Sequence, residues 1–278
     1  MPLPPGIDVE VLTFLESHEA CYHAMPGREI RELGDGILLH DPIDREPFWN
    51  RLSAIRWPAE PAAFDRRLAE AISLFGLLDR IPHVWPRPAL NEPADLVDRL
   101  LAAGFDDAGG GHVMVLSDRS APARELARPL PPGVVVERLH RLRGDRRSAV
   151  AAELALVLGE AFSVEPDRRG SIEAETAVTF ERDDVHACLV RVDGEPAAAA
   201  KRATFDGASY LSSIGTRPAY RGRGLGSLVT AIVAADAVDA GSRWIHLGVF
   251  TENLGAIRIY ERLGFERIGD TAPDLLLR

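Results

Sequence analysis

The clearest periodic pattern in this 278-residue chain lies in its second half. Between residues 224 and 240, apolar side chains recur every three or four positions, which is the spacing of one face of an α-helix. Apolar runs of strand length stand on either side, at 209–216 and 243–250, and a second helical segment follows at 253–263. Helices that alternate with strands in this way predict a mixed α/β fold.

The segment before this region adds further predicted elements of both kinds. They are a strand at 134–139, helices at 145–162 and 171–178, strands at 187–192 and 196–205, and a strand from Phe265 onward. Asp193-Gly194 between the paired strands is a strong tight-turn signal, so these two strands are predicted to form a hairpin.

A change in composition divides the chain near its middle. The segment SAPARELARPLPP, residues 120–132, combines proline, alanine and charge and ends in two prolines, which is typical of a linker. We therefore predict a first domain at 1–118, a linker at 119–132 and a second domain at 133–278.

Composition excludes several classes of protein. The net charge is −10, which disfavours nucleic-acid binding because phosphate contacts need a basic surface. Neither a long apolar run nor a secretory signal in residues 1–5 is present, so we expect no membrane span and a cytoplasmic location. Cys21 and Cys188 lack metal-ligand or disulfide-framework spacing, and both are expected to be buried apolar residues. No metal is expected.

A glycine-rich segment between a predicted strand and a predicted helix is the strongest candidate for chemistry. This glycine loop, residues 217–226, reads RPAYRGRGLG. Glycines let the backbone approach an anion closely, and the helix that follows presents unpaired N–H groups and the positive end of its dipole. Arg221 and Arg223 add cationic side chains. The pattern predicts a phosphate-binding site.

The spacing of the loop separates it from two common nucleotide motifs. A Walker loop needs Lys and then Ser or Thr after its last glycine, whereas Gly226 is followed by Ser227-Leu228. In a dinucleotide fingerprint the third glycine would stand one residue beyond Gly226. The arrangement of Arg221, Gly224 and Gly226 instead resembles the pyrophosphate loop of the GNAT superfamily of N-acetyltransferases.

A second motif follows at the distance expected in that superfamily. Asn253 is a good helix N-cap, Ala256 and Tyr260 share one helix face, and Gly264 is positioned to end the helix before Phe265. This N-x-x-A-x-x-x-Y-x-x-L-G-F spacing is also similar to the GNAT superfamily. Two motifs in register are more specific than either alone.

The resemblance implies a fold, a reaction and a set of site residues. It implies a GNAT-like domain with a mixed, largely antiparallel sheet flanked by helices, and an internal repeat described below extends this prediction to two such domains. It implies acetyl transfer from acetyl-CoA to an amine acceptor, with Tyr260 protonating the departing thiolate, in a cleft where the strand before the loop diverges from strand 243–250. The residues it assigns to acetyl-CoA are Ile214, Gly215, Thr216, Arg221, Gly222, Arg223, Gly224, Leu225, Gly226, Ser227, Asn253, Ala256 and Tyr260.

Direct transfer also needs a group that removes a proton from the amine, because an ammonium has no lone pair for attack. Many relatives carry a glutamate on the strand before the glycine loop, and residues 210–216 contain none. Glu160, Glu252 and Asp167 are candidates, although each also fits a solvated surface carboxylate. The sequence assigns no base.

The first half contains a faint repeat of the second. At an offset of 160 residues, Ser53, Pro58, Ala59, Leu68, Ala71 and Ile72 align with identical residues. Asn91, Ala94 and Gly104-Phe105 match the second motif at nearly the same offset. At the positions of the loop glycines stand Ala62, Phe64 and Arg66, whose side chains would fill the phosphate space. We therefore interpret the first half as a degenerate copy that does not bind CoA.

Two other functions remain open on the sequence alone. A non-catalytic CoA-binding regulatory module is favoured by the missing strand glutamate and disfavoured by Tyr260. A kinase-like or dinucleotide-dependent enzyme conflicts with the loop spacing. The sequence leaves the acceptor unspecified and a homodimer open, because acceptor pockets are built from variable loops.

Overall fold

A computed structural model describes residues 6–24, 27–87 and 91–278 of the chain. Residues 1–5, which bear on the secretory signal, lie outside the described residues. The chain forms two compact units. The first unit contains residues 1–113, 249–253 and 267–278, and the second contains 114–248 and 254–266.

The first unit is built around a small mixed sheet. Its elements before residue 113 are α1 (Val9–His23), β1 (Glu29–Glu32), β2 (Ile37–His40), β3 (Arg51–Ser53), α2 (Pro61–Leu77), β4 (His83–Val84), α3 (Leu96–Ala102) and the first part of β5 (Asp106–Leu116). The strands β1, β2 and β3 pair antiparallel, and β3 pairs parallel with β4. Helix α2 connects this parallel pair, and its buried face contributes Phe64, Leu68 and Phe75 to the core of the unit.

The second unit carries the elements that were predicted best. They are α4 (Ala121–Leu126), β6 (Val134–Leu139), α5 (Gly144–Ala161), α6 (Arg169–Thr179), β7 (Val185–Val192), β8 (Glu195–Phe205), β9 (Ala208–Thr216), α7 (Leu225–Asp239), β10 (Trp244–Phe250) and α8 (Leu254–Arg262). The last strand, β11 (Phe265–Leu276), begins in this unit and continues in the first.

The sheet of the second unit has the order β10-β9-β8-β7-β6. Strands β6 to β9 pair antiparallel, and only β9 and β10 are parallel, with α7 as the connection between them. The hairpin of β7 and β8 turns at Asp193 and Gly194, both with positive φ, as the sequence indicated. The predicted mixed α/β fold with a largely antiparallel sheet is confirmed.

Helices cover both faces of this sheet. A Cβ on Gly215 would lie 2.8 Å from the Cβ of Ala161 in α5, whereas the hydroxyl of the next residue, Thr216, lies beside Gly226 of α7. Because successive strand residues point to opposite faces, α5 and α7 pack on opposite sides of β9.

Three further expectations concern the chain as a whole. The predicted linker at 119–132 contains α4, so it is not irregular throughout, and the division into domains at 1–118 and 133–278 stays a prediction. Cys188 is buried, and burial raises the pKa of its thiol to about 12, but the expectation that Cys21 is also buried is wrong, because Cys21 is exposed. Among the described helices, none has the length and apolar content that crossing a membrane requires.

Candidate functional site

The site begins where two parallel strands of the second unit diverge. Strand β9 pairs with β10 only at Ala208, Ser209 and Tyr210, opposite Trp244 to His246, although β9 continues to Thr216. Beyond Tyr210 the edge of β9 is therefore unpaired with β10. Such an edge offers main-chain donors and acceptors to an extended ligand, as strand addition does in peptide recognition. The pairing thus ends in the part of β9 where the resemblance implied that the two strands diverge.

A β-bulge lies within the diverging part of β9. Ala199 and Lys201 of β8 pair with Gly215 and Ser212, so β9 has one more residue than β8 over this stretch. Ser213 has φ +51°, a conformation that non-glycine residues seldom adopt. Bulges redirect a strand locally and are common beside active sites. Here the bulge contains Ser213 and Ile214 and is followed by Gly215; Ile214 and Gly215 were predicted to contact the ligand.

The glycine loop has the backbone conformation that the sequence predicted. After a 3-10 turn at Pro218–Tyr220, Gly222 and Gly224 both have positive φ, +78° and +76°. No described heavy atom lies within 4 Å of the position that a Cβ would take at either glycine. The glycines are thus required by their conformation and leave open space in front of the backbone.

The loop leads into an uncapped helix N-terminus. Gly224 is the N-cap of α7 and has no side chain to accept a hydrogen bond from the first turn. The first N–H of α7 with a partner is that of Leu228, which donates to the Gly224 carbonyl. Within the described residues, the N–H groups of Leu225, Gly226 and Ser227 donate no hydrogen bond, an arrangement that favours an anion at this end of α7.

Two of the three arginines of the loop are held by protein groups. The guanidinium of Arg217 donates two hydrogen bonds to the Glu160 carboxylate, at 2.9 and 3.0 Å. That of Arg221 donates to the Ala161 carbonyl at 2.9 Å and to the Thr216 carbonyl at 3.3 Å. Arg223 makes no hydrogen bond or ion pair within the described chain. It is therefore the arginine whose charge is available to a ligand.

Two further predicted residues, Gly226 and Ser227, lie in the first turn of α7. The Ser227 side chain is buried and its hydroxyl donates to the Glu125 carboxylate of α4 at 2.8 Å, so only its main chain is available to a ligand. Gly226 would accept a Cβ at 3.5 Å from Ile259 of α8, an ordinary contact. Neither space within the protein nor a special φ thus requires glycine at this position.

Tyr260 projects from α8 into a largely apolar environment. Tyr260 is 6% exposed, and the centroid of its ring lies 6.1 Å from that of Phe265. The Tyr260 hydroxyl has no hydrogen-bond partner in the described chain. Burial raises the pKa of Tyr260 because the charged phenolate would lose its solvation. The hydroxyl therefore stays protonated at neutral pH, which is the form that a general acid requires.

The other predicted residues of this motif lie where the sequence placed them. Asn253 directly precedes α8, and its N–H donates to the Phe250 carbonyl at 3.0 Å. Ala256 is half-buried in the first turn of α8. Gly264 ends the helix with φ +87°, and a Cβ there would lie 2.7 Å from the Asp118 carbonyl. Glycine is thus needed at this position for conformation and for space.

The three candidates for the general base have different surroundings in the structure. Hydrogen bonding to Arg217 lowers the pKa of Glu160, so its carboxylate is a weaker base than a free glutamate. The carboxylate oxygens already accept hydrogen bonds from Arg217. Asp167 lies in the 3-10 turn Pro166–Arg168, and its side chain is outside the described part. Glu252 is an exposed residue of the first unit.

Sequence reasoning missed two contacts around the loop: that of Arg217 with Glu160, which was considered only as a base, and that of Ser227 with Glu125. These partners are 57 and 102 residues apart in the chain. No local pattern indicates such pairs. Within the described residues there is also no group of three or more His, Cys, Asp or Glu side chains arranged to hold a metal.

Comparison with known proteins agrees with this geometry. Residues 151–265 match the profile of the Acetyltransferase (GNAT) family. The matched segment runs from α5 through the glycine loop to Phe265, so it contains both motifs, β9 and Tyr260. This part of the chain is similar to the GNAT acetyltransferase family.

Similar proteins of known sequence or structure extend the comparison. A mycothiol acetyltransferase of Nocardiopsis dassonvillei is 38% identical over 73 residues, which are 26% of this chain and 19% of that protein. The chain thus matches about a fifth of the length of this curated relative.

Solved structures resemble the fold over nearly the whole chain. A GCN5-related N-acetyltransferase from Kribbella flavida has a TM-score of 0.69 and 22% identity, covering 98% of this chain and 96% of its own. A tandem GNAT protein from the clavulanic acid biosynthesis pathway has a TM-score of 0.62 and 14% identity, covering 92% and 86%. At these identities the likeness concerns the fold alone.

Proposed function

We propose that this chain is an acetyl-CoA-dependent N-acetyltransferase that transfers the acetyl group directly to an amine. The observation that carries the proposal is the combination in one unit of an uncapped α7 N-terminus, two left-handed glycines in front of it, and a diverging β9 edge. These features suit a long ligand that is anionic at one end and forms strand-like hydrogen bonds along its length.

The proposed donor fits this arrangement part by part. The N–H groups of residues 225–227 and the Arg223 guanidinium suit a pyrophosphate group. The β9 edge from Leu211 to Thr216 suits the amide-containing pantetheine arm. In this proposal Asn253 and Ala256 line the donor site at the start of α8, and the thioester reaches the cleft near Tyr260.

The reaction needs a nucleophile, an acceptor for its proton and a proton for the leaving group. The neutral amine nitrogen forms a bond to the acetyl carbon while the carbon–sulfur bond breaks, and the sulfur leaves with its electron pair. Tyr260, which burial keeps protonated, gives its proton to that thiolate. The amine releases a proton to solvent and a proton from solvent restores the Tyr260 phenol. Glu160 is paired with Arg217 and β9 carries no carboxylate, so we assign no protein base.

We also propose that the first unit holds a degenerate copy that binds no CoA. Its strands β3 and β4 are parallel and joined by α2, as β9 and β10 are joined by α7. At the N-terminus of α2, however, the carboxylate of the N-cap Glu60 accepts hydrogen bonds from the N–H groups of Ala62 and Ala63, at 3.0 and 2.7 Å. An internal carboxylate thus occupies the place where an anion would bind.

Three expectations remain with the proposal. The amine acceptor is unspecified, and the name of the mycothiol acetyltransferase, which matches only 26% of this chain, does not supply one. A cytoplasmic location rests on the two isolated cysteines, and a homodimer stays open.

The test is a titration followed by a turnover assay. Isothermal calorimetry with acetyl-CoA, and with ATP and NAD as controls, should detect binding of acetyl-CoA alone. Release of free CoA is then measured across a broad panel of primary amines. Binding without amine-dependent CoA release would favour the non-catalytic CoA-binding module, and no binding would refute the proposal.

A further inference from the structure

We propose that Glu160 and Arg217 are positioning residues that hold the glycine loop in its binding conformation. Of the three arginines of the loop, Arg217 and Arg221 fasten it to the end of α5, and Arg223 alone contacts the phosphates. This inference rests on the proposed function, since it assigns separate roles within that donor site.

Arg217 connects three elements at the point where β9 becomes the loop. Its Nε and one Nη donate to the Glu160 carboxylate in α5, in the paired geometry that suits guanidinium and carboxylate. Its other Nη donates to the Pro196 carbonyl in β8 at 2.8 Å. Its own N–H donates to the Ala197 carbonyl at 2.9 Å. All of the Arg217 nitrogens are thus used inside the protein.

Arg221 attaches the far side of the 3-10 turn to the same place. Its guanidinium donates to the carbonyl of Ala161, the last residue of α5 and the neighbour of Glu160. A cation is favourable there, because the C-terminal carbonyls of a helix lack internal partners and carry partial negative charge. The two arginines that enclose the turn Pro218–Tyr220 therefore both bind the last turn of α5.

Arg223 differs from these two in its surroundings. It is exposed, and its guanidinium carbon lies 5.5 Å from the centroid of the Tyr220 ring. The guanidinium carbon of Arg217 is at the same distance from that ring. Both are within the range of a cation–π contact, so Tyr220 orients Arg223 while Arg217 fixes Tyr220. The nitrogens of Arg223 remain available for a phosphate.

The consequence is a predicted dependence of acetyl-CoA affinity on a carboxylate that does not touch the ligand. If loss of the ion pair leaves the loop in its binding conformation only a third to a tenth of the time, the apparent Kd rises about threefold to tenfold. Glu160 is partly exposed, at 29% of its side chain, so replacing it with the isosteric glutamine should not unfold the protein.

The chain offers a matched control on the same helix. Glu153 of α5 pairs with Arg191 of β7, with a similar side-chain exposure of 32%, and neither residue belongs to the loop. Acetyl-CoA is titrated by calorimetry into full-length wild-type protein and into Glu160→Gln, Arg217→Lys and Glu153→Gln, and the ligand-free Tm of each is recorded. Arg217→Lys keeps the charge but loses the paired hydrogen bonds.

We expect weaker binding by about threefold to tenfold in Glu160→Gln and Arg217→Lys and an unchanged Kd in Glu153→Gln. A wild-type Kd in Glu160→Gln would overturn the inference, and so would an equal loss in all three variants, which would indicate a general effect on α5. If wild-type protein itself binds no acetyl-CoA, the proposed function fails, and with it the role of the loop.

The role of Arg223 has its own readout. Arg223→Gln should weaken binding and also reduce the dependence of the Kd on salt concentration, because one phosphate contact is lost. Glu160→Gln should weaken binding without reducing that dependence, since it removes no group that contacts phosphate. Identical salt dependence in Arg223→Gln and wild-type protein would refute this division of roles.

Discussion

Replacing Gly224 with alanine tests whether the loop conformation itself creates the donor site. Gly224 has φ +76°, and the position of a Cβ there meets no described atom within 4 Å. Alanine therefore introduces backbone strain and no clash within the protein. A left-handed conformation costs an L-residue about 1–2 kcal/mol relative to glycine.

That strain energy lowers either the free energy of unfolding or the affinity for acetyl-CoA. If the loop keeps its conformation, the free energy of unfolding falls by about 1–2 kcal/mol. If the loop instead relaxes to another conformation, the folded protein keeps its stability. Binding of acetyl-CoA must then restore the original loop conformation, and this costs binding free energy. The affinity then falls about fivefold to thirtyfold, because 1.4 kcal/mol corresponds to a factor of ten.

The assay combines calorimetric titration of acetyl-CoA with thermal unfolding of the free protein. Gly207→Ala is the matched control, because Gly207 also has positive φ, +77°, with open space at its Cβ position, and lies between β8 and β9 outside the proposed donor site. It should lower Tm and leave the affinity for acetyl-CoA unchanged. Gly224→Val adds a β-branched side chain in front of the amides and should abolish binding. Wild-type Tm and affinity in Gly224→Ala would refute the reasoning.

Three further predictions concern other parts of the chain. Tyr260→Phe should lower kcat by a factor near the bottom of the range of about 10²–10⁴ for general acid catalysis, with little change in acetyl-CoA affinity or Tm; equal kcat in steady-state assays would leave Tyr260 a packing residue. Calorimetry should give a single equivalent of acetyl-CoA per chain, because the Glu60 carboxylate already caps α2, and a second equivalent would contradict the degenerate copy. Iodoacetamide at about pH 8 should alkylate Cys21 rapidly and Cys188 only after unfolding, because Cys188 is buried and burial keeps its thiol protonated. Mass spectrometry measures both labelling rates, and equal rates in the folded protein would contradict this prediction.

Most of the second unit could be predicted because its signals are local. The helical period at 224–240 became α7, Leu225–Asp239, and the turn at Asp193-Gly194 became a hairpin. Gly222, Gly224 and Gly264 have the positive φ that their motifs indicated. These features depend on neighbours along the chain, which is why a single sequence contains them.

The first unit was harder to predict because its elements are short and its pairing is distant. Strand β4 has two residues, and its partner β11 lies nearly two hundred residues away in the chain.

In the second unit, helix α4 was not predicted because its segment has the composition of a linker. It packs on α7 through Glu125 and Ser227. Contacts of this kind stabilise an element whose own sequence pattern is weak.

The sequence by itself determined which backbone could bind an anion, because glycine spacing and helix period fix the conformation of residues 222–227. Only the tertiary structure decided what each side chain does there. Three arginines look alike in the sequence, yet Arg217 and Arg221 bind the end of α5 and Arg223 does not. Glu160 looked like a base and is the partner of Arg217. The physical reason is that a charged side chain acts through whichever group folding brings within a few ångströms, and that group is often far away in the chain.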